Sequence, residues 1–173
     1  MSVETDPNSY KSKDVELLRG IVASAEKRLE AQLTAALAAD QRALVLAGFL
    51  ITVIVALIGA SAALLLTGHG HLGLATTALV CAVLFLVALG LTVFAARPAE
   101  WNYPGTRPEL WRKDIAAKKD EDLRLAELCA DLQRKIGENA GLMSRNGALI
   151  VMALSIVGMA LLIGGLAVAS FVV

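Results

Sequence analysis

A chain of 173 residues with 57% hydrophobic content and a mean hydropathy of +0.65 is too apolar for an ordinary water-soluble domain and short for two such domains. Its 16 Lys and Arg offset its 16 Asp and Glu, yet every one of these charges lies before Ala43 or between Arg97 and Arg145. That segregation excludes a globular cytosolic class and predicts an all-α membrane protein: three transmembrane helices with two cytoplasmic amphipathic helical stalks.

Residues 1–12 include Pro7, Asn8, Ser9 and Ser12 and little apolar content, which predicts a disordered N-terminus. They contain no short apolar core and no small-residue cleavage site, so a cleaved secretory signal is not expected. Over residues 13–42 a cytoplasmic helix is predicted, because Val15, Leu18, Val22, Ala25, Leu29, Gln32 and Ala36 recur at alternating spacings of three and four. Ala25, Gln32 and Ala36 weaken that seam, so the helix needs a partner. Neither Gly nor Pro interrupts Ala31 to Ala47, and the helix is expected to run unbroken into the first span.

A hydrocarbon core takes about 20 apolar residues of helix. Residues 43–66 and 72–96 each meet that length without one charge, and residues 67–71, Thr-Gly-His-Gly-His, form the turn between them. Residues 146–173 supply a third span, apolar from Ala148 onward. Basic residues at span ends are retained on the cytoplasmic side, and Arg42, Arg97, Arg107, Arg134, Lys135 and Arg145 flank one side. The N-terminus and residues 97–145 are therefore expected in the cytoplasm, with the turn and the C-terminus outside. Asp40 and Arg42 should mark the interface, because a charge in hydrocarbon is costly; Asp40 reads as an interfacial acid, paired with a neighbouring Arg or Lys. Within the spans Ala56/Ala60, Ala78/Ala82, Ala160/Gly164 and Gly165/Ala169 set small residues one turn apart, which permits close helix contact.

Both tryptophans lie between the second and third spans, in a loop and helix covering residues 97–145. Pro98 and Pro104-Gly105 end the second span, and Thr106-x-x-Glu109 with Pro108 reads as a capping box opening a new helix. Trp101, Tyr103 and Trp111 suit an interfacial belt, in which an apolar ring keeps a polar edge near water. The alternative is a stacking pocket for a nucleobase, with Arg97, Arg107 or Arg112 on phosphate. From Lys113 a second amphipathic helix is predicted, its apolar side made by Leu125, Leu128, Leu132, Ile136, Ala140 and Met143. Gly137, Gly141 and Gly147 loosen it and are candidate hinge positions.

No catalytic fingerprint is present: the chain lacks HExxH, CxxC, P-loop, GxSxG and dinucleotide motifs, so no enzyme activity and no cofactor are expected. His69 and His71 on a Gly-rich turn are too few for a metal site. Cys81 and Cys129 lie in different environments and are expected to be free, small buried hydrophobes. Charge-free spans disfavour classical transport. The lipid bilayer is the expected partner, with homo-oligomerisation through the cytoplasmic helices and no direct contact with nucleic acid.

The sequence of parts, an amphipathic helix, Ala-Ala-Asp40-Gln-Arg42-Ala at the first membrane entry, a hairpin, a charged helical insert and a last span, resembles the small bacterial membrane effectors of Pycsar type and the related SLATT group. The resemblance covers the chain in topology and the Asp40 neighbourhood in residues. It implies a bacterial inner-membrane protein that responds to a nucleotide signal in antiphage defence by assembling and impairing the membrane. It places no ligand-binding residue. A constitutive anchor or adaptor docking a cytoplasmic partner is the alternative.

Overall fold

The computed structural model describes Tyr10 and residues 12–66, 72–105 and 108–172. Those residues are helical apart from short connections, with no strand among them: α1 is Val15–Leu66, α2 Leu72–Ala95, α3 Pro108–Ala116 and α4 Glu121–Val172. Of these, α1, α2 and α4 are long and apolar enough to cross a membrane. The 67–71 turn, its two histidines, Thr106 and Arg107 lie outside the described residues.

Asp14 starts α1. Its carboxylate accepts the Leu17 N–H at 3.0 Å, satisfying one of the donors that every helix leaves free at its first turn, and its own N–H donates to Ser12 Oγ at 3.1 Å. From there α1 continues for 52 residues without interruption, as the lack of Gly and Pro around Ala31 to Ala47 predicts. Residues 1–9 and 11 of the expected disordered terminus lie outside the described residues, but Tyr10 packs against the cluster of Leu18, Leu125 and Cys129.

The chain divides into two compact units. The charged unit is built from Met1–Leu37 and Ala99–Met143. In it α1 and α4 run parallel: Cys129 Sγ donates to the Leu18 carbonyl at 3.9 Å, and further along both helices Gln32 Nε2 donates to the Ile136 carbonyl at 3.2 Å. Leu29, Leu132 and Ile136 fill the space between these two contacts. Along α1 Leu18, Leu29 and Ala36 of the sequence seam are buried and its other four positions half-buried, as are Ile21, Glu26 and Leu33 outside it.

Two details differ from the sequence reading in this unit. The segment from Lys113 is divided between two helices, since α3 ends at Ala116 and α4 begins at Glu121. The break closes as a Schellman turn: Lys119 N–H reaches the Asp114 carbonyl at 3.1 Å, Lys118 N–H reaches that of Ile115 at 3.2 Å, and Lys118 takes the left-handed conformation at φ +46°. Lys119 holds the turn through Glu127 at 2.5 Å and Asp114 at 3.8 Å. Further along, Ala140, expected inside, is exposed, and Asn139 is wholly buried instead.

The apolar unit is built from Ala38–Pro98 and Ser144–Val173. Leu50, Ile54, Phe85, Ala88, Ala153 and Ala160 make its core. α2 runs antiparallel to α4: Cys81 Sγ donates to the Ala160 carbonyl at 3.4 Å, and Gly73 lies opposite Phe171. The second approach is close, since a Cβ at Gly73 would stand 3.3 Å from the Phe171 ring and the ring would have to shift by a few tenths of an ångström. Ser61 Oγ donates to the Ala75 carbonyl at 3.0 Å, joining α1 to α2, and Thr92 bonds back to Ala88 at 2.8 Å. Both hydroxyls are buried and satisfied, which an apolar interior requires.

Candidate functional site

Polar chemistry concentrates on α4 of the charged unit, where the loop after Ala99 lies against residues Asp131 to Asn139. The Asn139 carboxamide accepts the Asn102 N–H at 3.0 Å and donates to the Asn102 carbonyl at 3.0 Å, so one side chain occupies both backbone groups of one loop residue. Asn102 Nδ2 donates to Glu138 at 2.8 Å. Lys135 Nζ donates to the Gly105 carbonyl at 3.4 Å and pairs with Asp131 at 2.9 Å. Gly105 sits at φ +88°, where a side chain would be strained.

Asp131 anchors the charged side of this arrangement. Besides Lys135 it binds Arg134 at 2.5 Å, and Arg134 also reaches Glu138 at 2.8 Å. Partial burial pulls the Asp131 carboxyl up, but the hydrogen bonds from Lys135 and Arg134 and their charges outweigh it and hold the group below its ordinary value. Such a network positions a loop. It presents no nucleophile beside a base, and no cluster of three metal-ligating side chains occurs among the described residues.

The residues singled out from the sequence do not form one site. Trp101, Tyr103 and Trp111 belong to the charged unit, Trp101 and Trp111 half-buried and Tyr103 exposed. Asp40 and Arg42 belong to the apolar unit, on α1. Asp40 is half-buried between Ala36 and Ala43, and desolvation raises its carboxyl above the ordinary range. The expected pairing of Asp40 is absent: it forms no ion pair among the described residues, since the ion pairs there involve Asp114, Glu121, Glu127, Asp131 and Glu138. Gly137, Gly141 and Gly147 are helical, exposed and unopposed, because a Cβ at each would meet nothing within 4 Å.

Sequence reasoning missed Asn102 and Asn139. The signal was there, since Leu125, Leu132, Ile136, Asn139 and Met143 continue the three-and-four spacing, and a carboxamide on that line implies a buried polar partner. It also missed the convergence of Arg97 and Arg145 on Phe94, whose ring centroid lies 4.2 and 5.9 Å from the two guanidinium carbons. Both cysteines are buried and free, and burial pushes the Cys129 thiol up, away from the reactive thiolate.

No protein-family model, curated protein or solved structure matches this chain.

Proposed function

We propose that the protein is a non-enzymatic, self-associating inner-membrane effector. Its apolar unit spans the bilayer three times, and its charged unit, in the cytoplasm, receives the signal. The observation that carries this reading is the two-part composition of α1 and α4. Each is a single helix whose first part belongs to the charged unit and whose remainder belongs to the apolar one. A helix transmits rotation or translation along its axis through its own hydrogen bonds, so repacking in residues 15–37 or 121–143 is passed along the same continuous helix.

Side chains that face outward support the membrane assignment. Leu44, Val45, Phe49, Val55, Leu161, Leu162 and Leu166 are all largely exposed. Each costs about 1.5–3 kcal/mol if left in water, so together they require hydrocarbon or another apolar surface. Ala56, Ala60, Gly165 and Ala169 also face outward, which leaves room for a second copy's helix to approach closely.

Likeness in topology to the Pycsar and SLATT effectors makes a cyclic nucleotide the signal to try first. Expression in bacteria carrying a membrane-potential dye tests the proposal. Depolarisation or growth arrest on infection or on supplying a cyclic nucleotide is expected, and an unaltered potential in every condition refutes the effector role. A second reading, a constitutive anchor that docks a cytoplasmic partner, is favoured by Leu17, Tyr103 and Ile115, which the charged unit leaves exposed. Recovery from detergent with a stoichiometric foreign protein would establish it, whereas a homo-oligomer by sizing supports the effector.

A further inference from the structure

We propose that Arg97 and Arg145, converging on the ring of Phe94, form a binding site for a phosphate group, carried by the headgroup of an anionic phospholipid. The lipid source rests on the membrane-spanning reading given above; the phosphate chemistry rests on the arginines themselves.

Phe94 lies in the last turn of α2 with its ring part-exposed. Arg97 follows one turn later and places its guanidinium carbon 4.2 Å from the ring centroid. Arg145, on α4, places its own at 5.9 Å from the same centroid, so the two cations are no further apart than the sum of those distances. Both side chains are exposed, and neither forms an ion pair among the described residues, although Arg19, Lys119, Arg134 and Lys135 all do. The negative face of the ring draws each guanidinium in, but it does not remove the repulsion between them. A bound anion does. Guanidinium groups present planar forks of donors that match phosphate oxygens, and both arginines keep theirs exposed and without an acidic partner among the described residues.

Location selects the carrier of that phosphate. Arg97 is the first charged residue after the charge-free run 43–96, and Arg145 is the last before the charge-free run 146–173. In a spanning protein those positions lie at headgroup depth, where anionic lipids are concentrated and a basic side chain gains most from them. Arg42 stands at the equivalent boundary of α1 but has neither ring contact nor ion pair among the described residues, and so distinguishes a built site from a diffuse basic belt.

Native mass spectrometry of the full chain, released from micelles holding equimolar phosphatidylglycerol and phosphatidylcholine, tests the proposal. The unaltered chain is expected to retain phosphatidylglycerol preferentially, and Arg97→Gln and Arg145→Gln each to lower that retention about fivefold, with Arg42→Gln changing it less than about twofold. Phe94→Leu, which removes the platform and no charge, is expected to lower it too. Equal retention of the two lipids, or an Arg42→Gln loss as large as the other two, overturns the site. Circular dichroism melts that match the unaltered chain exclude unfolding as the cause of a loss. Displacement of the lipid by millimolar inorganic phosphate overturns the lipid source and assigns the arginines to a free phosphate. Alkaline carbonate extraction reads the spanning assignment separately: release of the chain from membranes refutes it and the lipid source together, while phosphate retention by the arginine pair is still decided in the micelle experiment.

Discussion

Asn139 holds Asn102 by both of its backbone groups, accepting its N–H and donating to its carbonyl, each at 3.0 Å. The asparagine is wholly buried, so its hydrogen-bonding capacity must be met within the protein, and the loop after Ala99 meets it. The loop in turn gains a fixed position on α4 without any regular structure of its own. Replacing Asn139 by Leu keeps the branching of the side chain, adds bulk, and leaves the Asn102 N–H and carbonyl without their partner, at an expected cost of about 1–3 kcal/mol from the lost hydrogen bonds. Limited proteolysis is the sensitive readout, with cleavage near Asn102 expected in the variant well before the unaltered chain. Equal resistance would show that Glu138 and Lys135 suffice to hold the loop.

The pH dependence of the charged unit follows from Asp131. Its folded-state value lies below the unfolded one of about 3.9, so the unfolded chain binds the proton more readily as acid is added. The stabilisation is fully present above that unfolded value and is lost as pH falls through the folded one. Asp131→Asn is expected to lower the unfolding free energy at neutral pH by a modest amount, about 1 kcal/mol or less for pairs this exposed, and to leave no difference from the unaltered chain once the pH is below the folded-state value of Asp131. Denaturant titrations of both chains across that range check it; a difference that persists unchanged into strong acid contradicts the assignment.

Gly137, Gly141 and Gly147 separate stability from movement. Alanine at each meets no neighbour and should stabilise α4 by about 1 kcal/mol per site, since glycine is the poorer helix former. If these glycines let α4 flex during signalling, the triple alanine variant melts higher yet depolarises cells less. A higher melting temperature with undiminished depolarisation removes the hinge from the mechanism.

Cys129 offers a probe of the α1–α4 contact. Its thiol is buried, donates to the Leu18 carbonyl and is held protonated by desolvation. In mild detergent it is expected to stay unmodified while a cysteine introduced at exposed Ser24 is consumed by maleimide, and to react once denaturant separates the helices. Rapid labelling of Cys129 in the native chain would show that the two helices part readily.

The charged unit shows where local rules stop being sufficient. Spacing along residues 15–36 identifies the inward side of α1, because one helix face must be covered and the apolar residues mark it. The same rule placed Ala140 inside α4, where the structure has Asn139. Apolar content favours alanine there, and only the backbone of a loop 37 residues away makes the carboxamide the better buried group. The break between α3 and α4 was invisible for a related reason. Residues 117–120 contain neither Gly nor Pro, and Lys118 accepts a left-handed conformation because Lys119 is held between Asp114 and Glu127.

Sequence alone determined the helical class and the three runs able to cross a membrane, because charge-free stretches of about 20 residues and unbroken helix-forming segments are local properties. It also separated the charged from the apolar stretches of the chain. Tertiary structure alone decided the parallel pairing of α1 with α4 in the charged unit, the Asn102–Asn139 clasp and the meeting of Arg97 and Arg145 at Phe94. Each of these joins residues far apart in the chain, and their value depends on geometry: a hydrogen bond or a cation over a ring forms only when packing brings two groups within a few ångströms.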